Sequence, residues 1–79
     1  MNRKRDEVVS KLKDLIKTKM FTKGSKLPAE RELAEMLGVS RSLLREGIIT
    51  LEAWGVLEPI ERQGIFVVSP DLVNFSESM

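Results

Sequence analysis

The 79-residue sequence predicts an α+β fold, three helices followed by a β-hairpin. Three observations carry that expectation. Apolar residues recur at helical spacing in three segments before Gly55, and β-prone residues cluster after it. Leu37-Gly38-Val39-Ser40 sets a helix stop beside a helix start, between the second and third segments. Arg62-Gln63-Gly64 separates two short β-prone runs, as a hairpin turn would.

The first helix is expected over about Asp6 to Met20, with Val8, Val9, Leu12, Leu15, Ile16 and Met20 on one face. Lys11, Lys13, Lys17 and Lys19 fall mostly elsewhere around it, the last two near the C-terminus, where the helix dipole favours cations. Thr22-Lys23-Gly24-Ser25-Lys26 reads as the turn that ends it. Leu27 is held extended by Pro28, whose ring disfavours the α region in the preceding residue.

The second helix is expected over about Glu30 to Leu37, with Leu33, Ala34 and Leu37 inward. Glu30 and Glu32 sit in its first turn, where acids complement the dipole. They are read as exposed helix acids with no polar partner cluster. Ala29 stands where a serine would form a capping box with Glu32. Gly38 is a natural left-handed stop.

Ser40 caps a third helix, expected from Arg41 to Trp54, with Leu44, Ile48 and Leu51 buried. Gly47 within it costs about 1 kcal/mol against alanine, which predicts a close approach to the second helix. Trp54 is expected in the core or against the hairpin. Strands follow at Leu57 to Glu61 and Ile65 to Val68, and Pro59 requires the first to be an edge there or irregular. Residues 1–69 form one domain on this reading, and residues 70–79 a linker or tail toward a further, effector-binding domain.

Composition narrows the chemistry. The chain has neither cysteine nor histidine, which excludes disulfides, thiolate zinc sites and Ser-His or Cys-His catalysis within it. No catalytic residue, cofactor or metal is expected, and carboxylates alone remain for a metal. The longest apolar runs are too short to span a membrane, and the basic start lacks the apolar stretch of a signal peptide, so a cytoplasmic location is expected.

Net charge is only +1, but it is divided unevenly. Residues 1–26 hold nine basic and three acidic residues, a balance of +6. Residues 27–79 hold four arginines and nine acids, a balance of −5. The lysines are either a solvated helix face or a source of nonspecific phosphate attraction.

The four arginines, Arg31, Arg41, Arg45 and Arg62, converge on one predicted face. A helix, a glycine turn, a second helix and a β-hairpin make a winged helix-turn-helix. In that arrangement the third helix offers its N-terminal residues to base edges in the major groove. Arg41 and Ser42 can reach bases, Arg45 a base or phosphate, and Arg31 the backbone. Arg62-Gln63-Gly64 at the wing can approach the minor groove, where arginine is favoured. Plainer roles stand beside these. Arg31 can pair with Glu35, Arg45 with Glu46 or Glu52, and Arg62 can be a solvated turn residue. A winged helix used to bind protein is the alternative from another class.

Leu27-Pro28-Ala29-Glu30-Arg31-Glu32-Leu33-Ala34, Gly38-Val39-Ser40-Arg41, Leu44-Arg45-Glu46 and Gly55-Val56-Leu57-Glu58 together resemble the GntR family of bacterial transcription regulators. Leu44-Arg45-Glu46 is most similar to the branch of fatty-acid-responsive and dehydrogenase-operon regulators. The resemblance implies double-stranded DNA binding at a short palindrome, as a homodimer in the full-length protein, usually as a repressor. It places DNA contacts at Arg31, Arg41 and Arg45, with Ser40 and Ser42 at the start of the recognition helix and Gly64 in the wing. A small-molecule effector would bind a C-terminal domain beyond this sequence. A fusion to an aminotransferase-like domain is the other arrangement, from which Leu44-Arg45-Glu46 leans away. The family wing often reads Gly-x-Gly-Thr-Phe-Val, whereas Arg62-Gln63-Gly64-Ile65-Phe66-Val67 lacks the first glycine and the threonine. Gly47 replaces a usual alanine, and Ala29 a common serine.

Overall fold

Val8, Val9, Leu12 and Ile16 line one side of helix α1 (Arg3–Thr18) and enter the core, as their spacing predicts. The computed structural model describes residues 3–71. Helices α2 (Glu30–Leu37) and α3 (Arg41–Ala53) add Leu33, Ala34, Leu44, Ile48 and Leu51 to the same core. Strands β1 (Leu57–Ile60) and β2 (Gly64–Val67) close it with Leu57 and Val67, while Leu27 and Val56 fill the joints. Full burial stabilises each such side chain by about 1.5–3 kcal/mol, which is how so small a chain holds three helices together. The α+β expectation holds, and the wing follows the helices in the predicted order.

The end of α1 departs from expectation. Thr18 is its last residue, and Met20 lies outside it with φ 54°. The Phe21 N–H donates to the Ile16 carbonyl at 3.0 Å and the Met20 N–H to the Lys17 carbonyl at 3.2 Å. That pair is a Schellman closure, with methionine in the left-handed position glycine usually fills. It turns Phe21 back onto the core and leaves Met20 exposed instead of on the buried face.

The α2–α3 junction matches its signals. Gly38 adopts φ 68° and donates to the Ala34 and Glu35 carbonyls. The Ser40 hydroxyl then accepts the Leu43 N–H at 3.1 Å. Ala29 makes no side-chain cap, as expected.

Gly47 corrects the sequence reading. A Cβ there would lie 2.7 Å from Val8 Cγ1 and 3.2 Å from Leu12 Cδ1, so the close approach is to α1 and not α2. Both α1 residues are fully buried and cannot swing aside.

The strands pair antiparallel with Leu57 opposite Val67 and Ile60 opposite Gly64. Pro59 sits on the outer strand, where its missing N–H breaks no ladder. The other edge of β2 is occupied too. Leu27 N–H donates to the Ile65 carbonyl, Gly24 N–H to the Val67 carbonyl, and Val67 N–H to the Ser25 carbonyl. The segment expected to be only a turn therefore flanks β2, with Lys26 bridged to Phe66. Trp54, expected in the core, is instead exposed at the C-cap of α3, with Lys13 Nζ 5.7 Å from its ring centroid. The domain boundary placed at residues 70–79 falls mostly outside the described residues.

Candidate nucleic-acid interface

Arg41 and Arg45 are one turn apart on α3, so both project along one side, flanking the buried Leu44, Ile48 and Leu51 face where α3 meets the start of α2. What holds them is Glu30, the first residue of α2. Arg41 Nε donates to Glu30 Oε1 at 3.1 Å, and Arg41 Nη2 lies 3.1 Å from the same oxygen. Arg45 Nε donates to the other oxygen, Oε2, at 2.9 Å. The arginines remain 59% and 60% exposed, whereas the glutamate side chain is only 25% exposed. One carboxylate thus fastens two guanidiniums across the helix-turn-helix, and their outer donors face solvent.

The electrostatics follow from that contact. The hydrogen bond from Arg45 holds the Glu30 carboxyl below its ordinary range, and Arg41 adds to it against the opposing effect of desolvation. Glu30 in turn raises the Arg45 guanidinium above its usual value. Two guanidiniums against one carboxylate leave the cluster a single formal positive charge.

This corrects two sequence expectations. Glu30 is no partnerless helix acid, and the partner seen for Arg45 is Glu30, across the turn, where the sequence offered Glu46 or Glu52. The pairing was hidden because its members stand 15 and 11 residues apart and meet only once α2 and α3 have packed.

The remaining predicted residues surround this cluster in different ways. Arg31 and Glu35 approach to 3.9 Å, an exposed i, i+4 pair of the sort anticipated. Such pairs contribute roughly 0.3–0.5 kcal/mol, so Arg31 is easily released to another partner. Ser42 is exposed on the first turn of α3, beside Arg41. Ser40 is also exposed, but its oxygen already serves as the N-cap.

In the hairpin, the Gln63 N–H donates to the Ile60 carbonyl at 2.9 Å. Arg62 is the third residue of that turn, with φ 66°. Type II turns fill this position with glycine, because a side chain there costs about 1 kcal/mol or more. Gly64 is the first residue of β2, not the tip. The stem of Lys26 crosses its open face, with Cε 2.7 Å from where a Cβ would stand. Lys26 is thus a cation near the turn end of the wing that the sequence reading passed over.

Around the cluster, the described residues offer no group of three or more potential ligands for a metal. No described helix is long and apolar enough to cross a membrane.

A glycine-linked helix pair with a β-hairpin beside it defines this protein as a winged helix-turn-helix. The chain belongs to the family described as bacterial regulatory proteins, gntR family, whose model matches residues 4–67. It is 44% identical over 62 residues to the Uxu operon transcriptional regulator of Escherichia coli K12, covering 78% of this chain and 24% of that protein. It is 47% identical over 62 residues to the putative L-lactate dehydrogenase operon regulatory protein of the same organism, with the same coverage of 78% and 24%. The chain thus spans about a quarter of the length of these curated relatives.

Among solved structures, Streptococcus agalactiae GntR superposes with a TM-score of 0.79 at 35% identity, covering 82% of this chain and 32% of that one. AraR(DBD) in complex with operator ORX1 superposes with a TM-score of 0.74 at 31% identity, covering 86% of this chain and 82% of that one.

Proposed function

We infer that this chain is the operator-reading module of a bacterial transcription regulator of metabolic genes. The observation that carries this reading is the pair of outward guanidiniums, Arg41 and Arg45, set in register on α3. Paired planar cations, largely exposed at the start of a recognition helix, suit bidentate contact with guanine O6 and N7. The likeness to AraR(DBD), a domain of similar extent seen with an operator, supports the reading.

On this reading α3 enters the major groove, with Arg41 and Ser42 at base edges. Arg45 reaches a base or a flanking phosphate. Arg31 and the Ser40 hydroxyl hydrogen meet the backbone at the groove's edge. Arg62, Gln63 and Gly64 carry the wing toward the minor groove. The operator is a short palindrome read by a homodimer of the full-length regulator, and the effector binds a domain beyond this sequence. Repression of a metabolic operon would accord with its likeness to the Uxu operon and L-lactate dehydrogenase operon regulators.

Selection of binding sites from random duplexes tests this. The expected result is a two-fold symmetric consensus whose affinity falls steeply with salt, by about 0.9 in log K per decade for each phosphate contacted. Recovery of no preferred sequence, or binding indifferent to salt, would return the chain to the protein-binding class.

A further inference from the structure

Glu30 is an acid at a surface that must attract a polyanion, and no role assigned above explains it. Helix-dipole compensation does not, because Glu32 in the same first turn would supply that and makes no arginine contact among the described residues. The geometry of Glu30 is more specific. Its two oxygens are divided between two arginines of another helix, at 3.1 and 2.9 Å.

A free arginine is long and flexible and binds any phosphate within reach. Holding it by the Nε edge removes most of that freedom and points the outer amino groups along one line. The bond to Arg45 uses Nε, which leaves its paired Nη groups for an acceptor outside the protein. Arg41 commits Nε and the near side of Nη2, and keeps the outward N–H of each Nη group. The carboxylate also cancels one of two positive charges, which weakens phosphate attraction at every sequence alike.

We propose that Glu30 is a positioning residue that sets how well this domain distinguishes its operator from other DNA. It lowers affinity for duplex of any sequence and aligns Arg41 and Arg45 for base edges. This rests on the operator-reading function inferred above.

Two variants separate charge from geometry. Glu30→Gln keeps the shape and removes the charge. Glu30→Asp keeps the charge but is one methylene too short to hold both guanidiniums. Each is measured on a selected operator and a scrambled duplex across a salt series, with thermal melting as the check on folding.

For Glu30→Gln, binding to scrambled duplex should rise roughly three- to tenfold at about 50 mM salt, and its salt slope should steepen by about one. Operator preference should fall about tenfold, within the range that one good bidentate contact supplies. For Glu30→Asp, scrambled-duplex binding should stay level while preference falls.

A wild-type chain with no preference between the duplexes would sink the operator-reading function itself. A wild-type preference that survives in Glu30→Asp, or scrambled-duplex binding that does not rise in Glu30→Gln, would overturn the role of Glu30 alone.

Discussion

Arg62→Gly should stabilise this domain while weakening its grip on DNA. Arg62 holds φ 66° at the wing turn, and its side chain is exposed with no ion pair among the described residues. The left-handed region costs an L-residue about 1–2 kcal/mol. Glycine removes that cost but loses about 0.5–1 kcal/mol more backbone entropy on folding. The difference is a net gain of about 0.5–1 kcal/mol. For a domain of this size that is a rise in Tm of roughly 3–6 °C.

Urea unfolding followed by circular dichroism measures the same change, as a midpoint shift of about 0.5 M or somewhat more. Arg62→Ala is the control. It removes the same side chain but keeps a Cβ, so it should gain little. If glycine and alanine behave alike, or if glycine destabilises, the turn is not strained at Arg62 and the reasoning fails. On duplex DNA, both variants should lower the salt slope by about one if the wing cation meets a phosphate.

Gly47→Ala should destabilise by about 1 kcal/mol or more, because a Cβ 2.7 Å from Val8 outweighs the helix-propensity gain of about 1 kcal/mol. In a Val8→Ala background the same change should turn stabilising, and an additive cycle by thermal melting would refute the proposed contact. Ala29→Ser should add about 0.5–1 kcal/mol, since Ala29 already has the extended φ −57°, ψ 150° of an N-cap and Glu32 stands ready for a capping box. An unchanged Tm would show that the entry to α2 cannot accept the new bond.

What the sequence disclosed was whatever local chemistry decides. Gly38 and Ser40 act on their own neighbours, so the break between α2 and α3 could be placed to the residue. Pro28 likewise marked the extended entry to α2. The core faces were legible because Val8, Leu12 and Ile16 in α1, and Leu44, Ile48 and Leu51 in α3, repeat at helical spacing. Met20 failed the same test because a Schellman closure can form on methionine, and the nearby glycine at 24 drew the helix end too late. The pairing of Ser25–Leu27 with β2 was out of reach for a different reason. Its partner lies some 40 residues on, and Gly24 and Ser25 are turn residues by composition. The partner of Gly47 needed a packed α1. At the site, the arginines stood out by type and scarcity, whereas Glu30 was one acid among many until α2 and α3 met. The wing left one clue: the family pattern has a glycine where Arg62 stands, and the left-handed backbone there is its physical cause.

The uneven charge along the chain takes on a different meaning once the contacts are known. A balance of +6 in residues 1–26 suggests a broad attraction for phosphate. Yet Lys11 Nζ donates to the Leu37 carbonyl at 3.0 Å, where it satisfies the end of α2. Lys13 is 9% exposed and lies over Trp54, so its stem is packing and its charge faces a ring. The stem of Lys26 runs along the wing toward its turn, over Gly64. Part of the lysine excess therefore joins helix to helix and strand to wing. In residues 27–79 an acid restrains the two central arginines in the same way. Both halves commit cations to fixed positions at the expense of loose attraction. That is the expected economy for a module that must leave the wrong sequence quickly. It also predicts where such a module is easily damaged: freeing a held cation should increase binding and spoil selection, which simple loss of charge cannot do.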